Sequence, residues 1–362
     1  MTATVSRSVL VMAGGTGGHV FPALAAAKCL RDQGINVEWL GTSSGIESRL
    51  VPQAGIELHC INVAGLRGKN LSSVIKAVFQ LFGSLLEVFR IIRNLKPVCI
   101  LGMGGFTSGP GGLVAWFTRC PLVIHEQNAV AGTTNRLLSK LAARVLLGYP
   151  IKLGGDRSRF VGNPVREEIA QLPAPDERLD SRSGKLQVLV LGGSLGAKPI
   201  NDLLPDVLKS IDSEQRPVVW HQAGQRHVDH VQALYRQAAV PATVEAFIED
   251  MAAAYSWADV VVCRAGALTV AELTAAGVAS LLIPLPHAID DHQTENARWL
   301  ESGGAGKLLV QSELTINGLA NDLLELSHDR KKVLNMSIAA RNLAKTDAAL
   351  RVAEICMEVA GE

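Results

Sequence analysis

The feature that most constrains the fold of this chain is a strand–turn–helix unit that occurs at least three times. Its C-terminal copy runs from an apolar segment, residues 258–262, through Arg264-Ala265-Gly266 into a helical pattern that Gly277 closes. Such an apolar run is typical of a buried parallel strand, and glycine often follows a helix end. Open parallel α/β sheets bind ligands at the carboxyl ends of their strands. The repeated unit therefore predicts doubly wound parallel sheets with ligand sites along that edge.

The turn at Arg264 carries groups suited to a nucleotide. Backbone N–H groups at the start of a helix, together with the positive end of its dipole, favour phosphate. Arg264 would add a fixed positive charge, and the carboxylate of Glu272 could accept hydrogen bonds from a ribose diol. An ordinary strand-to-helix turn with a surface glutamate is the alternative for this copy taken alone.

The other copies divide the chain into similar halves. Residues 8–12 lead into the glycine-rich loop 13–19, which has neither GxGxxG spacing nor a Walker lysine, and residues 186–191 lead into Gly192-Gly193-Ser194. Polar and glycine signatures also follow the predicted strands 98–101 and 122–124. We therefore expect an N-terminal domain over 1–163, a second over 164–340, and a C-terminal helical segment, 341–362, that could pack back on the first. The stretch 171–185, rich in proline and charged residues, suits a linker or domain edge.

Composition excludes several classes of protein. The chain has 362 residues, 48% of them hydrophobic, which is enough for two cores rather than a disordered chain. A net charge of +1 argues against a nucleic-acid partner. The six cysteines lack CxxC spacing and indicate reduced thiols rather than a disulfide framework.

One segment departs from the α/β rhythm. Residues 71–96 predict one long helix or a broken pair, with two apolar stripes and six basic residues against one acidic residue between positions 65 and 96. A helix packed on a sheet with a solvated basic edge is one interpretation. The other is a surface that dips into an anionic bilayer, because no run of about 18 apolar residues could span one. The candidate membrane residues are Ile75, Phe79, Phe82 and Leu85, rimmed by Arg67, Lys69 and Lys76.

Ordered motifs along nearly the whole chain resemble one enzyme family. They are the loop 14–22, the glycine cluster 102–112, His125-Glu126-Gln127-Asn128, the segment 162–166, Gly192-Gly193-Ser194 and the turn 264–270. This chain is similar in all of them to the bacterial UDP-N-acetylglucosamine:undecaprenyl-pyrophosphoryl-MurNAc-pentapeptide N-acetylglucosaminyltransferases. The resemblance implies the GT-B architecture, in which two Rossmann-like domains face each other across a cleft.

The same resemblance implies substrates and a cellular place. UDP-GlcNAc would be the donor and membrane-bound lipid I the acceptor, with lipid II as the product. An anionic phospholipid surface would be a further partner, and cell-wall synthesis or division proteins are candidates. The expected location is peripheral, on the cytoplasmic face of the inner membrane, and no cofactor is expected.

The resemblance also implies the roles of individual residues. Ile248 matches the position whose backbone meets the uracil, Glu272 the ribose contact, and Gln293 the sugar-hydroxyl contact, with His292 beside it less well matched. Ser194 matches the diphosphate cradle, although a helix N-cap is the commoner role of such a serine. Phe106 departs from members with tyrosine there, which puts a hydroxyl contact in doubt. The remaining expected contacts are the cradle loop Ala267, Leu268 and Thr269, the substrate-binding residues Val270 and Ala271 that follow it, and across the cleft Thr16, Gly17, Gly18, Asn128 and Arg166.

In the reaction that the resemblance implies, an α-linked UDP-sugar becomes a β-1,4 linkage, so the anomeric carbon inverts. This requires a base near the acceptor 4-hydroxyl and stabilisation of the departing UDP. His19 is the best candidate base, because imidazole titrates near neutrality; holding the glycine loop is its alternative role. Glu126 is the second candidate, with loop bracing as its alternative. The sequence has no Asp-x-Asp pair, so no metal is expected, and helix N-termini with Arg264 could stabilise the charge.

Three other functions fit parts of the sequence. An NAD-dependent oxidoreductase also uses strand–glycine loop–helix units, but the expected fingerprint is missing. A UDP-sugar 2-epimerase fits the donor turn and leaves the basic amphipathic segment unexplained. A non-catalytic membrane protein that senses a nucleotide sugar is the third.

Overall fold

A computed structural model describes residues 7–62, 71–180, 182–193, 196–286 and 291–361, with the side chains of 71–81 outside the description. It divides into two compact units, residues 1–166 with 345–362, and residues 167–344. The strands, in chain order, are β1 (Ser8–Met12), β2 (Asn36–Gly41), β3 (Glu57–Cys60), β4 (Cys99–Gly102), β5 (Leu122–Glu126), β6 (Arg144–Leu147), β7 (Ser158–Phe160), β8 (Gln187–Leu191), β9 (Val218–Gln222), β10 (Thr243–Glu245), β11 (Val260–Cys263), β12 (Ala279–Leu282) and β13 (Gly306–Leu308).

The strands alternate with helices along the chain, as expected for crossover connections between parallel strands. The helices are α1 (Gly17–Asp32), α2 (Glu47–Gln53), α3 (Leu71–Leu95), α4 (Ser108–Phe117), α5 (Thr133–Leu138), α6 (Glu167–Ala170), α7 (Pro175–Leu179), α8 (Lys198–Ser210), α9 (Val228–Ala238), α10 (Met251–Trp257), α11 (Ala267–Ala276), α12 (His292–Ser302), α13 (Ile316–His328), α14 (Arg330–Leu343) and α15 (Ala348–Val359).

The first unit is a seven-stranded parallel sheet in the order β3-β2-β1-β4-β5-β6-β7. Alternate residues of β1 point to opposite faces. Val9 and Val11 lie in a core shared with α1 and α15, whereas Leu10 and Met12 lie in a core shared with α3 and α4. The strand order reverses between β1 and β4, and this switch point is where such sheets bind ligands.

The second unit repeats the plan with six parallel strands in the order β10-β9-β8-β11-β12-β13. Its strand order reverses between β8 and β11. A buried core that includes Val188, Val190, Val260 and Val262 packs against helices α8 and α13. The predicted class, two doubly wound parallel-sheet domains, is confirmed.

Several local predictions need correction. The stretch 171–185 is not a bare linker, because it contains α7, which packs against α14 within the second unit. The short strands β3, β6, β7 and β13 were not predicted, since three- and four-residue strands carry little alternation. Residues 71–95 form one continuous helix, which is the first of the predicted alternatives, rather than a broken pair.

Candidate active site

Two glycine loops meet at the switch point of the first unit. One follows β1 and the other follows β4. A side chain on Gly105, whose φ is +87°, would overlap the carbonyl oxygen of Gly14. Glycine is therefore required there both by the left-handed backbone and by the close approach of the two loops. This contact fixes the loop that precedes α1 against the loop that precedes α4.

His19 lies in the first turn of α1, at this junction. Its Nδ1 is 3.3 Å from Oε1 of Gln127, which follows β5. A Cβ built on Gly104 would lie 2.6 Å from the same Nδ1, so the glycine makes room for the imidazole. The structure thus brings His19 to the ends of β4 and β5. Its roles as base or loop contact remain predictions.

Glu126 holds the loop after β5. One carboxylate oxygen accepts from the N–H and the side-chain amide of Asn128, at 3.0 and 3.3 Å. The other accepts from Gly132 N–H and Asn135 Nδ2, at 3.0 and 2.9 Å. Four donors match the roughly four acceptor positions of a carboxylate. The arrangement favours the loop-bracing role over that of a base, because a proton could bind only by displacing one of these donors.

Glu47 is a residue that sequence reasoning missed. Its side chain is fully buried and accepts from Gly15 N–H at 3.0 Å and from the N–H and hydroxyl of Thr42 at 3.0 and 2.6 Å. The carboxylate therefore ties the loop after β1 to the loop after β2. A signal existed, since Gly45-Ile46-Glu47 closely follows a strand end, where functional polar groups gather.

His125 is a buried structural residue beside the site. Its Nε2 donates to the carbonyl of Gly162 at 2.8 Å. Burial lowers the pKa of His125 to about 4, so the ring is neutral at physiological pH. Arg166 lies over the ring of Phe21, with 5.9 Å between the guanidinium carbon and the ring centroid. Thr16 precedes α1 and is exposed.

In the second unit, α11 begins directly after the turn at Arg264, with Gly266 as its N-cap. The first N–H groups of any helix have no partner within it. Ala267, Leu268 and Thr269 are the first residues of α11, and their role as a phosphate cradle stays a prediction. Ser194, the other expected part of the cradle, lies outside the described residues.

Glu272 lies further along the same helix and is 6% exposed. The hydroxyl of Tyr255 donates to its Oε2 at 3.1 Å, which fixes the carboxylate in position. Arg264 donates to the carbonyls of Ile283 and Pro284 at 2.9 and 3.0 Å and to Gln311 Oε1 at 2.7 Å. These bonds hold Arg264 to the segments after β12 and β13, a role the sequence did not indicate. Contact between Arg264 and a phosphate stays a prediction.

The two remaining donor contacts are also held by hydrogen bonds. The N–H of Ile248 donates to Gln222 Oε1 at 3.0 Å, so a uracil contact here uses the carbonyl or displaces Gln222. Gln293 accepts from the N–H of Leu285 at 2.9 Å, which orients its amide. Both contacts with substrate stay predictions.

Helix α3 has one apolar stripe packed on the sheet and exposed apolar residues outside it. Val88 and Ile92 are buried against the sheet, and Leu85 is partly buried against the same core, which disfavours Leu85 as a membrane contact. Phe82 is 66% exposed and Leu86 57%. The side chains of Ile75 and Phe79 lie outside the description. Along the neighbouring helix α4, the exposed apolar residues are Leu113, Trp116 and Phe117.

Helices α3 and α4, which carry these exposed residues, pack against each other. Phe89 of α3 contacts Phe117 of α4 edge to face, with ring centroids 6.5 Å apart, and Phe117 is 74% exposed. We call Phe82, Leu86, Trp116 and Phe117 the α3–α4 apolar surface. No helix within the described ranges is both long enough and apolar enough to cross a bilayer.

The two doubly wound units, each with a glycine-rich turn that opens a helix, have the domain composition of the GT-B class of glycosyltransferases. The chain belongs to glycosyltransferase family 28, whose N-terminal domain matches residues 9–147 and whose C-terminal domain matches residues 187–352. The family predicted from the ordered motifs is thereby confirmed.

Individual relatives match almost the full length. An enzyme of Ectopseudomonas mendocina named UDP-N-acetylglucosamine–N-acetylmuramyl-(pentapeptide) pyrophosphoryl-undecaprenol N-acetylglucosamine transferase is 57% identical over 353 residues, which cover 97% of this chain and 98% of the relative. The enzyme of the same name from Azotobacter vinelandii is 55% identical over 361 residues, covering 98% and 99%. The crystal structure of MurG from Acinetobacter baumannii superposes with a TM-score of 0.82 at 40% identity, covering 97% and 99%.

Proposed function

We propose that this chain transfers N-acetylglucosamine from UDP-GlcNAc to N-acetylmuramyl-(pentapeptide) pyrophosphoryl-undecaprenol, which converts lipid I into lipid II in peptidoglycan synthesis. The observation that carries the proposal is near-full-length identity of 57% to an enzyme named for this reaction. The three alternative functions, an NAD-dependent oxidoreductase, a UDP-sugar 2-epimerase and a nucleotide-sugar sensor, do not explain this identity to an enzyme named for glycosyl transfer. The enzyme is an inverting hexosyltransferase, since an α-linked UDP-sugar becomes a β-1,4 linkage.

The second unit would bind the donor. The opening turn of α11 supports this role, since its N–H groups and the helix dipole favour the diphosphate. Glu272 lies in the same helix, and Tyr255 holds its carboxylate in place at 3.1 Å for the ribose hydroxyls. A hydrogen bond to a charged group contributes about 1.5–3 kcal/mol. Helix N-termini would also stabilise the charge that develops on departing UDP.

The first unit would bind the acceptor and supply the base. His19 is favoured over Glu126 because four donors already occupy the Glu126 carboxylate. In the reaction the acceptor 4-hydroxyl would attack the anomeric carbon while its proton passes to His19. The bond between the anomeric carbon and the UDP oxygen breaks, and its electron pair leaves with UDP.

The acceptor is lipid-linked, so the enzyme would meet it at a membrane surface. Each buried CH₂ of the lipid contributes about 0.8 kcal/mol to keeping it in the bilayer. The α3–α4 apolar surface supports peripheral binding, since four large apolar side chains on two contacting helices are each more than half exposed. Basic side chains near such a surface add attraction to anionic lipid, and Arg90 of α3 is exposed.

Two titrations test the proposal. Calorimetry should detect binding of UDP-GlcNAc and no binding of NAD, which separates a sugar transferase from a dinucleotide oxidoreductase. Addition of a short-chain lipid I analogue to the UDP-GlcNAc complex should then release UDP. An epimerase or a sensor would show no acceptor-dependent release, and that result would reject the proposal.

A further inference from the structure

Gln127 contacts His19 through an amide whose orientation the structure determines. Its Nε2 is 2.7 Å from the carbonyl oxygen of Met103, to which it donates. The opposite orientation would place two carbonyl oxygens at that separation, which is repulsive. Oε1 therefore faces His19, 3.3 Å from Nδ1.

An acceptor facing Nδ1 selects the protonated form of that nitrogen. A neutral imidazole carries one N–H and one lone pair, and the bond made by one nitrogen decides which is which. With Nδ1–H donating to Gln127 Oε1, the lone pair of the neutral ring lies on Nε2. A lone pair on Nδ1 would instead face the lone pairs of Oε1.

Hydrogen bonds also hold the backbone of Gln127 and the Met103 segment that its side chain contacts. Gln127 is 2% exposed, and its own backbone carbonyl accepts from Asn163 Nδ2 at 2.9 Å. The N–H of Met103 donates to Met12 at the end of β1, at 2.8 Å, which fixes the carbonyl that Gln127 contacts. The amide thus links the ends of β1, β4 and β5 to the first turn of α1.

We propose that Gln127 is a positioning residue that keeps neutral His19 in the Nδ1–H tautomer, so that Nε2 carries the lone pair that receives the acceptor proton. The catalytic consequence rests on the proposed function, in which His19 is the base. The tautomer itself is a property of the resting protein and is measured without substrate. The neutral amide of Gln127 can select this tautomer without adding a charge. A carboxylate in the same place would favour the protonated ring.

Long-range proton–nitrogen NMR on protein with ¹⁵N-labelled histidine reads the tautomer directly, with His19→Gln used to assign the signals. We expect the Nδ1–H form in the wild type. In Gln127→Met, which keeps length and removes the amide, we expect a shift toward the Nε2–H form. We also expect kcat to fall about 10- to 100-fold, at most the lower end of the roughly 10²–10⁴-fold that a general base supplies, because His19 itself is still present; the KM for UDP-GlcNAc should not change.

Two further variants separate positioning from folding. Gln127→Glu, as the carboxylic acid, can donate to Met103 and still accept from Nδ1–H, so it should keep the Nδ1–H tautomer. It should keep kcat only while that carboxyl group is protonated, because a carboxylate there favours the protonated ring. Gln232→Met removes another amide that donates to a backbone carbonyl, that of Val244 at 3.3 Å, and should change neither. It lies on α9, outside the proposed site.

The proposal is overturned if the wild type shows the Nε2–H form, or if Gln127→Met keeps both the tautomer and kcat. Should Gln127→Met fail to fold, the wild-type and Gln127→Glu spectra still decide, since an Nε2–H signal in either rejects it. Failure of the proposed function looks different. Full turnover in His19→Gln would remove His19 as the base, while the expected spectra would still establish the control of its tautomer by Gln127.

Discussion

Phe82→Asp tests whether the α3–α4 apolar surface binds membranes. Full burial of a large apolar side chain is worth about 1.5–3 kcal/mol, and Phe82 is 66% exposed. Bilayer contact can therefore recover about 1–2 kcal/mol. An aspartate near an anionic leaflet adds about 1 kcal/mol of repulsion, by analogy with the attraction of a basic residue. The total of about 2–3 kcal/mol corresponds to a 30- to 150-fold weaker partition into vesicles.

The assay is co-sedimentation with phosphatidylglycerol-containing vesicles, paired with turnover on bilayer-embedded and on short-chain acceptor. Phe82→Asp should weaken vesicle binding and slow turnover on the embedded acceptor only, because the proposed site is unchanged. Leu350→Asp is the matched control, since Leu350 is 44% exposed on α15, which packs on the opposite face of the sheet. Wild-type vesicle binding by Phe82→Asp would refute the reasoning. Loss of folding would also refute it, because Phe82 would then belong to the core.

Three further predictions follow from the site and its surroundings. Glu272→Ala should weaken UDP-GlcNAc binding tenfold or more by calorimetry, as expected for loss of a charged hydrogen bond of about 1.5–3 kcal/mol; unchanged affinity would remove Glu272 from the site. His19→Ala should lower turnover by roughly 10²–10⁴ with little change in donor affinity, and survival of turnover within a few-fold would leave it a loop contact. Burial lowers the pKa of His125 to about 4 and that of His221 to about 3. Both rings therefore stay neutral in the folded protein while the unfolded chain takes up protons below about pH 6.5. The contribution of the two neutral rings to the free energy of unfolding should be fully present above that pH. Below it, the free energy of unfolding should fall by up to about 1.4 kcal/mol per pH unit for each histidine down to pH 4. An equal melting temperature at pH 7 and pH 5 would contradict the assignment.

The sequence predicted the parts of the fold that local pattern determines. Strand β1 covers the predicted residues 8–12, and α11 ends at Ala276 with Gly277 in the left-handed conformation expected at a helix end. The repeated strand–glycine loop–helix unit was sufficient to predict two doubly wound domains. Edge strands such as β3 were not predicted, because half-exposed four-residue segments show no clear hydrophobic periodicity.

What the sequence could not supply is the partner of each polar side chain. Glu47 is 32 residues from Gly15, and Gln127 is 108 residues from His19. Only the parallel register, which aligns the strand ends, brings these pairs together. Leu85 illustrates the same limit, since helical periodicity predicts two apolar stripes but not which one faces the sheet.

The central claim is that this chain makes a β-1,4 glycosidic bond between GlcNAc and lipid-linked MurNAc. The most direct measurement is NMR of the product formed from UDP-GlcNAc and a short-chain lipid I analogue by the purified protein. We expect one new GlcNAc residue per acceptor, β-linked to the 4-hydroxyl of MurNAc, with one equivalent of UDP released. An α-linked product, or UDP release without a new glycosidic bond, would contradict it.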